Sequence, residues 1–222
     1  MKVGVLFLCF MLVATVLVSC SKAGDDVFVP TRTTAIVVIN AGPDTLNIYQ
    51  KGTRLNSGSN LLPGGQYTSL QVSTGSSNFQ FKQAGRAELL IDAPFTIDTA
   101  AAYTLIVGGR SADKVFLLRD TLPEKDTTYI RFVNASPIES TLEVSVGANF
   151  KYQRVAFKKA TPFIPVVNGK VALAIRQTSD NRLLADGNLT LTKNYVYTLF
   201  TKGVIGGTGT NAFGARILVT RQ

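Results

Sequence analysis

Histidine is absent from all 222 residues. That excludes the Ser-His-Asp and Cys-His arrangements and removes the commonest general base and metal ligand. Cysteine is nearly absent too, with Cys9 inside an apolar leader and Cys20 at its end. Once the leader is removed and Cys20 modified, neither a disulfide nor a Cys/His zinc site can form. This does not argue for a reducing compartment, because a chain of about 200 residues buries enough apolar surface to fold without staples. Acids are few, 14 against 23 Lys and Arg. The chemistries left are a carboxylate pair or an oxygen-only calcium site. Beyond the leader there is no second long apolar run and no amphipathic helical pattern.

Met1-Lys2 is followed by an apolar run from Val3 to Val18, the layout of an export signal. At 16 residues it is short for a spanning helix, which needs about 20. Leu17-Val18-Ser19-Cys20 resembles a bacterial lipobox, in which the cysteine is acylated and becomes the new N-terminus. The alternatives are a signal anchor, or an ordinary signal with Cys20 near its cut by coincidence; position, flanks and residue types favour lipidation at Cys20. Several acyl chains hold a protein to a bilayer durably where one does not. Ser21-Lys22-Ala23-Gly24-Asp25-Asp26 then reads as a polar tether. Its Asp pair resembles the acidic tract that sends lipoproteins of the Bacteroidetes to the outer face of the outer membrane, or is a solvated linker.

Two apolar strands end in the same turn chemistry: Ala35-Ile36-Val37-Val38-Ile39-Asn40-Ala41-Gly42-Pro43 and Tyr129-Ile130-Arg131-Phe132-Val133-Asn134-Ala135-Ser136-Pro137. They lie 94 positions apart, and that offset also relates Gly75 to Gly169, Phe79 to Leu173, Phe81 to Ile175, Tyr103-Thr104-Leu105 to Tyr197-Thr198-Leu199, and Gly109 to Gly203. Leu46-Asn47-Ile48 fits Leu142-Glu143-Val144 at 96, and an insertion follows Gly203. Runs such as Phe79-Gln80-Phe81 and Leu189-Thr190-Leu191 alternate with period two between turn clusters at Leu61–Gly65, Ser73–Ser77 and Asn168-Gly169, the last a hairpin dipeptide. The expectation is all-β, with two tandem immunoglobulin-like β-sandwich modules of about seven strands each. Boundaries fall at 1–19 for the signal peptide, 20–26 for the tether, 27–122 for module 1, 123–126 for a linker and 127–222 for module 2. The short linker implies limited freedom between modules.

The strand with Asn-Ala-Ser-Pro, then Leu142-Glu143-Val144 and later Tyr197-Thr198-Leu199 before a final strand, resembles the bacterial domain of unknown function 4397. That resemblance implies an exported or surface-attached protein with tandem immunoglobulin-like sandwiches. It transfers no catalytic residue.

Candidate sites come from the residues themselves. Asp92 and Asp98 flank the strand Phe95–Ile97, and the second copy carries Asp180 and Asp186, of which Asp186 stands 94 positions after Asp92. They are either a repeated carboxylate site or turn residues accepting backbone hydrogen bonds, and the turn reading is preferred. Gly203–Asn211 is glycine-rich but lacks the Lys-Ser/Thr ending of a P-loop and opens no helix, so it reads as a long hairpin connection. Within it Gly206, Gly207, Thr208 and Asn211 are candidate contacts, since long loops carry binding function. From Cys20 to Leu122 nine cations face eight acids, and from Pro123 onward thirteen face six. Lys151, Tyr152, Arg154, Lys158 and Lys159 form a basic, aromatic stretch that is either a contact for acidic polymers or an edge strand protected by lysine. Thr45, Thr99, Thr121 and Thr127 each follow Asp and resemble acceptors for O-glycosylation in exported Bacteroidetes proteins.

Together these predict a non-catalytic outer-membrane lipoprotein that binds a glycan, an envelope polymer or a protein partner. It is expected to take no cofactor, no metal and no nucleic acid. A structural spacer or envelope subunit is the alternative, and a carboxylate-dependent hydrolase a distant third.

Overall fold

The computed structural model describes residues 32–124 and 127–221, with Arg221 described by its backbone only. The leader, Cys20 and the Asp25-Asp26 tether lie outside the described residues. The chain is all-β: among the described residues the only helical turns are two 3-10 turns, Ala112–Lys114 and Gly209–Asn211.

Sixteen strands form four four-stranded sheets. In the first half, β1 (Thr33–Asn40), β4 (Gln66–Ser73), β7 (Ala102–Val107) and β8 (Val115–Asp120) make a sheet of order β4-β1-β7-β8. It packs on β2 (Leu46–Gln50), β3 (Thr53–Arg54), β5 (Gly75–Gln83) and β6 (Leu89–Ile97), ordered β3-β2-β5-β6. The second half repeats this. β9 (Tyr129–Val133), β12 (Ile164–Pro165), β15 (Val196–Lys202) and β16 (Gly214–Arg221) give β12-β9-β15-β16, and β10 (Leu142–Val146), β11 (Phe150–Val155), β13 (Gly169–Gln177) and β14 (Leu183–Leu191) give β11-β10-β13-β14. Each sandwich therefore holds eight strands, where about seven were expected, the extra one being a two-residue edge strand.

Period-two alternation builds each sandwich core. On β5, Phe79 and Phe81 are fully buried, while Gln80 between them turns to the outer face. Their partners in the second copy, Leu173 and Ile175, sit likewise on β13. The strand register shows the repeat directly, since β5 and β6 recur as β13 and β14 with every residue 94 positions on. The last strand is displaced further: Thr104 faces Leu118 whereas Thr198 faces Leu218, an offset of 100 that absorbs the insertion after Gly203.

Two turn expectations need correction. Ser73–Ser77 is no loop, because β4 ends at Ser73 and β5 begins at Gly75, leaving only Thr74 between them. The chain crosses there from one sheet to the other, and Gly75, at φ 86°, supplies the left-handed kink. Asn168-Gly169 is the same corner in the second copy, with Gly169 at φ 105°, and not a hairpin, because β12 and β13 belong to different sheets.

The central strands β1, β7, β9 and β15 are buried on both faces. On β1, Ile36 and Val38 enter the first sandwich, while Ile39 faces the second sandwich and meets Ile106, Phe116, Val133, Phe200 and Leu218. Fully buried side chains of this kind contribute roughly 1.5–3 kcal/mol each. The sandwiches thus share a third apolar core. On the same face of β9 as Val133, Arg131 donates to Asp120 of β8 at 2.6 Å, to Thr104 at 3.1 Å and to Thr198 at 3.0 Å. Gly108 marks how closely the halves approach, since a Cβ there would lie 2.8 Å from the Ala135 carbonyl oxygen and 3.1 Å from Phe157.

Candidate binding groove

The twin Asn-Ala-x-Pro corners end the central strands, and their asparagines are wholly buried. Asn40 donates from Nδ2 to the carbonyls of Asp44 (2.6 Å) and Leu61 (3.2 Å), and its Oδ1 accepts from Gly42 N–H. Asn134 donates to the Val155 carbonyl at 2.9 Å, and its Oδ1 accepts from Ser136 N–H and the Thr201 hydroxyl. An amide fits because it supplies donor and acceptor at once inside a turn. The corner prolines, Pro43 and Pro137, project into one groove between the sandwiches, of about 1100 Å³.

Loops from both halves wall it: 43–45, 62–63, 83–84 and 108–114 from the first, and 204–211 from the second. The long loop is docked at its root, where Gly203 N–H donates to the Ala41 carbonyl at 2.9 Å and the Ser136 hydroxyl donates to the Gly203 carbonyl. Lys202 Nζ braces it by donating to the carbonyls of Thr210 (3.3 Å) and Ala212 (3.0 Å). Burial, and then the charge of Arg216, hold Lys202 below the ordinary lysine pKa. On the facing wall Asp44, 7% exposed, accepts from Arg110 Nε at 2.7 Å and Nη2 at 2.8 Å. The hydrogen bond and charge of Asp44 raise the Arg110 pKa further, so the guanidinium stays charged.

The sequence candidates scatter. Asn211 lines the groove, while Gly206 and Thr208 are exposed and Gly207 half-buried on the same loop. Thr45 lines the groove too, whereas Thr99 and Thr121 are exposed elsewhere and Thr127 is half-buried. The basic stretch divides. Lys151, Tyr152 and Arg154 lie on β11, an edge strand, with Lys151 3.6 Å from Glu143 and Tyr152 packed 5.1 Å from Phe150. Lys158 and Lys159 lie in the following loop, whose backbone is bonded to that of Asn134. None of these five residues lines the groove. Asp92 accepts from Asn78 and Gln80, Asp98 from Tyr103, and Asp180 from the Arg182 N–H, so each carboxylate has its own local neighbours; Asp186 is exposed on β14. Among the described residues no group of three acids or cysteines could hold a metal ion.

Asp44, Leu62, Arg110 and Lys114 were not singled out as contacts from the sequence. The available signal was the matched pair of corner prolines, which places the loops after β1 and β7 at one end of the fold.

The sequence profile of the domain of unknown function DUF4397 matches residues 34–145 and again 128–218. The chain belongs to this family. The first DUF4397 match runs through β9 into β10, so it crosses the shared face between the sandwiches. No characterised protein matches the DUF4397 chain significantly in sequence. Among solved structures, similarity is found to CBMbc, a family CBM26 module of Eubacterium rectale Amy13K crystallised with maltoheptaose. The identity is 12%, covering 85% of this chain and 98% of that one, with a TM-score of 0.26, too low to bear on function.

Proposed function

We propose that this DUF4397 protein is a non-catalytic lipoprotein of the outer membrane, anchored through acylated Cys20, that binds a glycan, an envelope polymer or a partner protein. The observation that carries the binding reading is the groove formed jointly by both sandwiches at the end of the fold remote from the start of β1. β1 leaves Arg32 and reaches the groove corner eight residues later, about 26 Å at 3.3 Å per residue. The groove therefore lies at the opposite end of β1 from residue 32.

Capture from a solubilised envelope extract tests the reading, using the full-length chain and a variant with groove residues Leu62→Asp and Asn211→Ala. A partner retained by the first and lost by the second supports it; equal retention counts against the groove. For the anchor, Cys20→Ser should release the protein from membranes and abolish palmitate labelling, and continued attachment would sink the lipoprotein assignment. The alternative of a structural spacer draws on the continuous apolar face between sandwiches, which sets a fixed length. It would be favoured if the intact protein captured nothing while its deletion altered envelope integrity.

A further inference from the structure

The charge in the groove is built into one copy only. Asp44 grips Arg110 at two points, Nε and Nη2, which fixes the guanidinium plane while leaving the arginine side chain 65% exposed. Nη1 and the second hydrogen of Nη2 remain on the side turned away from the carboxylate. In the second copy, 94 positions on, Asp44 and Arg110 are answered by Ile138 and Val204. The fold makes that corner without an ion pair, so burying Asp44 is not an architectural need, and taking a carboxylate out of water carries a desolvation penalty. Lys114 adds a second cation to the lining, where Asp44 is the only acid.

The remaining lining selects the kind of anion. Leu62 is 60% exposed beside Pro43, Pro63, Pro137 and Val204. None of the lining residues is aromatic, so no ring face is offered for a sugar to stack on. Apolar lining residues together with a fixed guanidinium suit an extended polypeptide carrying both carboxylates and small apolar side chains. We propose that the groove binds an acidic, extended polypeptide segment of a partner protein, with a carboxylate paired to Arg110 and Lys114 and an apolar side chain against Leu62. This rests on the binding reading above and names its ligand class.

The test is fluorescence anisotropy of a labelled random Glu/Ala copolymer titrated with detergent-solubilised full-length protein. Saturable binding is expected, weakened by about tenfold or more in Arg110→Gln and in Leu62→Asp, as loss of a charge-assisted contact predicts. The matching Gln/Ala copolymer should bind at least about tenfold more weakly, for the same reason. Thermal midpoints identify any variant that fails to fold, and Lys114→Ala, at a half-buried position in the lining, then decides in its place. Absence of saturable binding, or an affinity unchanged by Arg110→Gln and Lys114→Ala, overturns the proposal. So does tighter, Arg110-dependent binding of polygalacturonate, which would make the ligand an acidic glycan. Capture of an envelope partner that survives Arg110→Gln defeats this proposal while leaving the broader one standing; capture of nothing defeats both.

Discussion

Arg131 and Asp120 form a buried ion pair between the two sandwiches, Nη1 to Oδ1 at 2.6 Å, with side chains only 4% and 2% exposed. Arg131 lies opposite Thr198 in the β9–β15 register, and the residue in the same place opposite Thr104 is Val37. Asp120 bonds the Thr104 hydroxyl at 2.6 Å, as Thr220 bonds that of Thr198 at 2.7 Å. The charged pair therefore replaces a Val and a Thr in an otherwise symmetric face.

Removing one partner strands the other charge. Asp120→Ala should lower unfolding free energy by about 3–5 kcal/mol, whereas Arg131→Val combined with Asp120→Thr, the chemistry of the twin positions, should be near neutral or stabilising. Urea midpoints at constant m distinguish the two. Equal losses in both variants would show that the pair itself holds the sandwiches together.

The close approach at Gly108 leaves no room for a methyl group. Gly108→Ala should destabilise by about 1–3 kcal/mol through displacement of Ala135 and Phe157. Gly58→Ala, where nothing lies within 4 Å of the added carbon, is the control and should change little. Thermal unfolding of the two variants side by side checks the contrast.

Asn134 has every polar function engaged inside the second corner. Asn134→Ala leaves the Val155 carbonyl and the Thr201 hydroxyl short of a partner, at about 1–3 kcal/mol for each buried group left unpaired. Asn134→Asp keeps the acceptor, loses the donor and adds a buried charge, so it should be no better. A crystal structure or amide exchange of residues 134–138 would show whether the corner opens.

Lys202 gives a pH signature. Its folded pKa lies below the unfolded value, so between the two the unfolded chain holds the extra proton and stability rises with pH. The window lies just under the ordinary lysine pKa of about 10.4. Below it the penalty of the buried charge is present in full. The difference in stability between the parent and Lys202→Gln should shift in the parent's favour as pH climbs through that window; a flat difference would contradict it.

Much of the fold was legible because period-two runs and a 94-residue register depend only on local spacing, as Phe79-Gln80-Phe81 and its partner on β13 show. The shared face was less so. Ile36-Val37-Val38-Ile39 is apolar at every position because β1 is covered on both sides, yet the same run also reads as a single buried strand ending in a turn. The sheet crossing at Thr74 was hidden because turn residues mark sheet changes as well as loops. The groove was hidden for a different reason. Asp44 and Arg110 stand 66 residues apart and meet only because β1 pairs in parallel with β7, which is a property of topology. The basic stretch at 151–159 drew attention by composition, and edge position on β11 accounts for its first part.

The parallel pairing of β1 with β7 also bears on mechanical force. A pull exerted at residue 32 and resisted at the groove runs along the length of β1. Its bonds to Thr104–Val107 on one side and to Gln66–Ser73 on the other are then loaded in shear and must give way together, not one at a time like a zipper. A partner held at the far end would thus drag on the chain in the direction in which its central strand resists extraction best.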